Sequence, residues 1–105
     1  MKKFKIFQVN DTANRYLMFS SLDLVKKMGM EKDVVISNYN EVYDGLISDD
    51  ASDEVLLERL FVIFNSRQKP NDYKGHSMSV SDVIQLEDKY YYTDSFGFEE
   101  IKNFA

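Results

Sequence analysis

The sequence predicts an α+β fold: one small domain over residues 1–105, a mostly antiparallel sheet with a C-terminal hairpin, and two to three helices packed on it. Three observations carry this. Phe4, Ile6 and Gln8 alternate with Lys5, Phe7 and Val9, the period of a strand. After Ser52, the residues Leu56, Leu57, Leu60, Phe61 and Phe64 form an apolar stripe at helical spacing. Two extended runs near the C-terminus are separated only by the polar stretch Glu87-Asp88-Lys89, the layout of a hairpin.

In chain order, the first strand gives way to a turn at Asn10-Asp11, and residues 15–19 (RYLMF) read as a second extended run. Ser20 with Asp23 three residues on has the spacing of a capping box, and Gly29 supplies a stop. The short helix between them would bury Leu24, Val25 and Met28 on one face. Residues 34–36 (VVI) are too short to place. Residues 39–47 interleave aromatic and β-branched side chains with polar ones, as a strand does. The main helix is expected over about residues 53–65, capped by Ser52, with Asp53 and Glu54 at the positive end of the helix dipole and Glu58 and Arg59 outward. Pro70 lies in a loop. Val80, Ile84 and Leu86 share one strand face with Val83 on the other, and residues 90–93 (YYYT) return antiparallel. Phe98, Ile101 and Lys102 after Gly97 are expected to form a short terminal helix ending near Phe104.

Composition excludes several classes. Among 105 residues, 44% are apolar and 30% charged, an ordinary globular balance. There is no cysteine, hence no disulfide and no thiolate metal site. No apolar run approaches the ~18 residues that span a bilayer. Lysines alternate with apolar residues at the start and no apolar core region follows, which argues against a signal peptide and for the cytoplasm. The net charge of −5 is unevenly spread: residues 1–40 carry +3, residues 41–66 carry −6 and residues 67–105 carry −2. Such a chain is a poor phosphate binder, so direct nucleic-acid binding is not expected. The acidic middle fits a basic partner surface or a solvated face.

The segment KGHSMSVSDVI at residues 74–84, followed by YYTDSFGF at residues 91–98, resembles the YodL-like domain, in which a GHSLSVSDVV stretch precedes a YYVDSxGF stretch. Upstream, NYNEVY at residues 38–43 is similar to that family's ANYELVY segment. The similarity runs from about Phe4 to Phe104, with Met78 where leucine is usual, a near volume-conserving change. The resemblance implies a small bacterial protein or a module of conjugative elements, plasmids and phages, encoded beside DNA-processing and anti-restriction functions. It brings no catalytic residues with it.

Candidate chemistry is thin. His76, Ser77, Ser79, Ser81, Asp82, Asp94 and Ser95 are the residue types of a hydrolytic triad. They are crowded in sequence without a nucleophile elbow or an oxyanion hole, so Gly75-His76-Ser77 reads as a turn and Asp94-Ser95 as a turn or cap. Asp49, Asp50, Asp53 and Glu54 lack the spaced oxygens and glycine of a calcium loop. Four scattered glycines make no phosphate loop. No enzyme activity, no metal and no cofactor are expected.

The functional expectation is a binding protein that blocks a bacterial protein, of the anti-CRISPR or anti-restriction type. Asp44, Asp49, Asp50, Asp53, Glu54 and Glu58 would act as a phosphate-like row in a basic channel. The alternative is a regulator of a cytoskeletal or other housekeeping protein, bound through Tyr90, Tyr91 and Tyr92. Tyrosine offers interface area at low entropic cost, although half-burial on the sheet explains the run as well. A third possibility is self-association through an N-terminal edge strand, giving a monomer or weak dimer.

Overall fold

The structure is a computed structural model, and it describes residues 1–10 and 15–105. Five strands, β1 (Lys2–Val9), β2 (Tyr39–Ile47), β3 (Val83–Leu86), β4 (Lys89–Thr93) and β5 (Phe98–Ile101), make one antiparallel sheet in the order β2-β1-β3-β4-β5. Helix α1 (Leu22–Lys27) covers one face and α2 (Asp53–Phe64) the other. The Cα radius of gyration is 13.0 Å, as compaction of a chain this long requires.

Strand β1 is interior, between β2 and β3, which explains why its alternation is apolar on both sides. Phe4 and Ile6 meet Leu56, Leu57, Leu60 and Phe64 of α2 in one core. Phe7 and Val9 meet Leu17, Leu22, Val25, Val34 and Phe104 in the other. An isolated helix as short as α2 is marginal in water, so these contacts hold it. The free edges of the sheet belong to β2 and β5. The expectation of an N-terminal edge strand is therefore wrong: a strand buried on both faces belongs in the middle. A register shift between Ile6 and Phe7 lets β2 gain a residue, Tyr43 facing Ile6 and Glu41 facing Phe7.

The main helix begins as its sequence indicates, with Ser52 Oγ accepting from Val55 N. So does the hairpin, where Leu86 pairs with Lys89 across Glu87-Asp88. Other expectations are corrected. Residues 98–101 form β5 and not a helix. Gly97, at φ +86°, closes a tight turn in which Asp94 N donates to Gly97 O at 2.9 Å, and four residues gain more from pairing with β4 than from a helical nucleus. The run at 15–19 is a single 3-10 turn over Arg15–Leu17 that drops Leu17 into the core. The cap of α1 is Ser21, whose Oγ accepts from Leu24 N. Shifting the start by one residue buries Leu22 and Val25 and leaves Leu24 and Met28 exposed. Val80 precedes β3, whose two faces are both buried. Residues 34–36 tuck Val34 into the α1-side core. The turn expected at Asn10-Asp11 extends beyond the described residues.

Candidate functional site

The motif segment at residues 74–84 is built around one side chain from β1. Gln8 interrupts an otherwise apolar face and is only 3% exposed. Its Oε1 accepts from His76 N at 3.1 Å, and its Nε2 lies 2.9 Å from His76 O, so the amide pairs with that backbone as a neighbouring strand would. The same Nε2 lies 3.0 Å from Asp82 Oδ2 and 3.0 Å from Tyr73 Oη. With two hydrogens it serves two of these oxygens at a time.

Gly75 is what permits the approach. A Cβ there would lie 2.3 Å from Gln8 Oε1 and 2.8 Å from the Tyr73 hydroxyl. We expect Gly75→Ala to destabilise the fold by about 2 kcal/mol, since one buried pairing must break to make room. Thermal unfolding would show it, and an unchanged midpoint would mean that the loop can shift freely.

Asp82 is 1% exposed and organises the end of the segment. Its Oδ2 accepts from Ser79 N at 2.9 Å as well as from Gln8. Burial pushes its carboxyl up to about 6, against the pull of Ser79 N, Gln8 and the nearby His76. Ser81, at φ +87°, accepts on Oγ from Phe19 N, and its carbonyl accepts from the buried Tyr39 hydroxyl. His76 Nδ1 lies 2.7 Å from Ser77 O, with the ring beside Phe19. Asp94 Oδ1 accepts from Ser95 N and from Leu22 N, closing the first turn of α1 from across the fold. Gln8, Ser81, Asp82 and Asp94 thus each hold backbone in place, while Lys74, His76 and Ser77 are exposed.

The tyrosines divide between the cores. Tyr92 is 0% exposed and donates to Ser20 O, so its ring offers no outside surface. Tyr90 packs against Phe104 at 5.0 Å and Phe7 at 6.5 Å. Tyr91 turns to the α2 side and donates to Asp53 Oδ2 at 2.8 Å, with its own hydroxyl pushed up to about 12 by burial first and then by that carboxylate.

Nor is the acidic stretch a uniform row. Asp53 also accepts from Lys2 at 2.8 Å, and this bond, more than the one from Tyr91, holds its carboxyl below the usual range. Lys2 reaches Asp49 at 3.5 Å, and Arg59 binds Asp50 at 2.6 Å. Asp44 pairs in register with Lys5 across β1 and β2. Glu54 and Glu58 lie outward on α2, in none of the ion pairs among the described residues.

A different surface stands out. Phe96, at the tip of the β4–β5 turn, is 99% exposed, and Val62 on α2 is 65% exposed. Between α2 and this turn runs a groove of about 260 Å³ walled by Phe61, Val62, Phe98 and Thr93 with Glu58 at its rim. The aromatic in the turn DSFG was the available sequence signal: a tight turn holds its middle residues in solvent. Gln8 left a weaker one, a polar side chain where alternation called for an apolar one. Among the described residues, no group of three or more His, Cys, Asp or Glu is placed to hold a metal ion. No helix there is long and apolar enough to cross a membrane.

Fold and site together define a small α+β protein whose motif is buried at residues 81–84 and exposed at Phe96, with a groove between α2 and the β4–β5 turn. The family described as the YodL-like domain matches residues 3–104, and the chain belongs to it. Neither the curated proteins nor the solved structures contain a match.

Proposed function

We propose that this chain is a non-enzymatic, cytoplasmic protein-binding module that occupies and blocks a bacterial protein. The observation that carries the reading is the pair of exposed apolar residues Phe96 and Val62 with the groove that Val62, Phe61 and the residues flanking Phe96 line, edged by Glu58. A large aromatic held fully in water gains from transfer to a partner, and aromatic anchors dominate interface energetics. The mobile-element setting implied by the sequence resemblance favours a defence enzyme, of restriction or CRISPR type, as the protein blocked. The acidic contribution falls mainly to Glu54 and Glu58, because Asp49, Asp50 and Asp53 already serve Lys2 and Arg59.

Capture from bacterial extract tests this. The wild-type chain should retain a partner that Phe96→Asp combined with Val62→Asp loses about tenfold or more, while Met28→Asp on the α1 side retains it. Glu54→Lys with Glu58→Lys should weaken capture chiefly at low salt, where exposed charges are least screened. A partner held equally by the Phe96/Val62 variant and the wild type would sink the reading.

A further inference from the structure

We propose that the free edge of β5, with the groove beside it, takes up an extended basic segment of a partner protein as a sixth strand. The idea rests on the protein-binding reading above and names its mode and chemistry. Strand β5 ends the sheet order, so one of its edges faces no strand. The bond from Asp94 N to Gly97 O marks a hydrogen-bonded pair, and antiparallel pairs alternate. Thr93↔Phe98 and Tyr91↔Glu100 are then the non-bonded pairs, which turns the N–H and C=O of Phe98 and Glu100 outward.

The opposite edge is less available. Lys74 N donates to Val42 O at 3.3 Å, bringing the 66–78 loop against β2. The comparable bond at this end, from Ile36 N to Phe104 O at 2.6 Å, falls three residues past the end of β5.

Side-chain chemistry selects the occupant. An added strand sends alternate side chains to the α2 face, where Phe98 lies 6.3 Å from Phe61 and the groove opens. An apolar side chain there would lie on Phe61, Val62 and Phe98. Thr93, across from Phe98 on β4, contributes to the same wall. Around this edge stand the carboxylates of Glu31, Glu58, Asp94, Glu99 and Glu100, against the ammonium groups of Lys32, of Lys26, on Glu99, and of Lys102, on Glu100. The excess is negative, so a basic residue flanking the apolar one is favoured. Main-chain pairing would supply affinity and these pockets the selectivity.

The probe is a displayed library of random linear peptides selected on the intact chain, with the enriched peptides followed by amide NMR shifts. Enriched sequences should alternate apolar and basic residues and shift the amides of residues 96–101 and of Val62. Glu100→Pro removes an outward N–H and leaves the ladder to β4 whole; it should weaken these peptides about tenfold. Glu58→Lys, which touches no backbone, should weaken them too, and circular dichroism of both variants checks the fold. Peptides that bind elsewhere, or a library without binders, overturn the strand addition, whereas the binding reading is decided separately by the Phe96/Val62 capture. A concentration-dependent dimer in light scattering that Glu100→Pro dissolves would assign the edge to a second copy and likewise overturn it.

Discussion

Replacing Gln8 by leucine is expected to lower the stability of the fold by about 3 kcal/mol, as the loss of one charge-assisted bond and one backbone bond from a buried place. For a domain of this length that corresponds to a fall in the unfolding midpoint of roughly 15 °C. Leucine fits the apolar face shared by Phe4 and Ile6, so the loss reports the amide and not a cavity. His76 N is left without its acceptor, and Asp82 keeps only Ser79 N. Gly75→Ala in the Gln8→Ala background should cost less than in the wild type, because the truncated side chain no longer meets the new Cβ. Additive losses in that double-mutant cycle would show that the two residues do not share one contact.

The second large effect concerns Asp82. Its carboxyl binds a proton more tightly folded than unfolded, with a folded value of about 6 against 3.8. Between those limits the native state holds more protons, so this residue's contribution to stability falls as pH rises and levels off above pH 6. Asp82→Asn keeps an acceptor for Ser79 N and Gln8 and removes the charge. It should match the wild type near pH 4 and exceed it by about 2 kcal/mol at pH 7, after allowance for burying an amide. The groups facing Asp82 are His76, Tyr39, Tyr73 and Tyr92; burial holds the three tyrosines neutral throughout this range. The exposed Asp50 and the half-buried Asp53 act in the opposite sense, their pairing being lost as pH falls. Denaturant unfolding of both chains from pH 4 to pH 8 isolates the Asp82 part by difference. A variant less stable than the wild type at pH 7 would mean that the bonds from Ser79 N and Gln8 outweigh the burial of the charge.

The candidate residues were legible to very different degrees. The 74–84 and 91–98 segments drew attention as sequence, and they do converge, since Asp82 O accepts from Thr93 N and Ser81 N donates to Thr93 O. Their local roles were legible in part: Asp94-Ser95 read as a turn or cap and Asp94 does accept from Ser95 N and Leu22 N, whereas the buried pairing of Asp82 with Gln8 was not legible. A run of three strand tyrosines must alternate across the sheet, and it does: Tyr91 turns to the α2 side while Tyr90 and Tyr92 pack in the other core. The acidic stretch read as continuous because the partners of Asp53 and Asp50 lie at Lys2 and Arg59, one at the other end of the chain. Phe96 went unremarked among fifteen aromatics, for exposure is not a property of composition.

What the sequence by itself determined are the features with local causes. Strand β2, helix α2 with its Ser52 cap and the Glu87-Asp88 hairpin follow from alternation, an apolar stripe and a polar turn, each complete within a dozen residues or so. The tertiary structure alone decided the rest. It placed β1 inside the sheet, between β2 and β3, because both its faces are covered. It drew residues 98–101 into a strand because β4 offered backbone partners that an isolated turn of helix could not match. It also brought Gln8 to His76 and Asp82, a pairing of residues far apart in sequence. Local pattern records which face of an element is apolar; which neighbour covers that face depends on contacts between distant segments, whose free energy no single stretch of the chain contains.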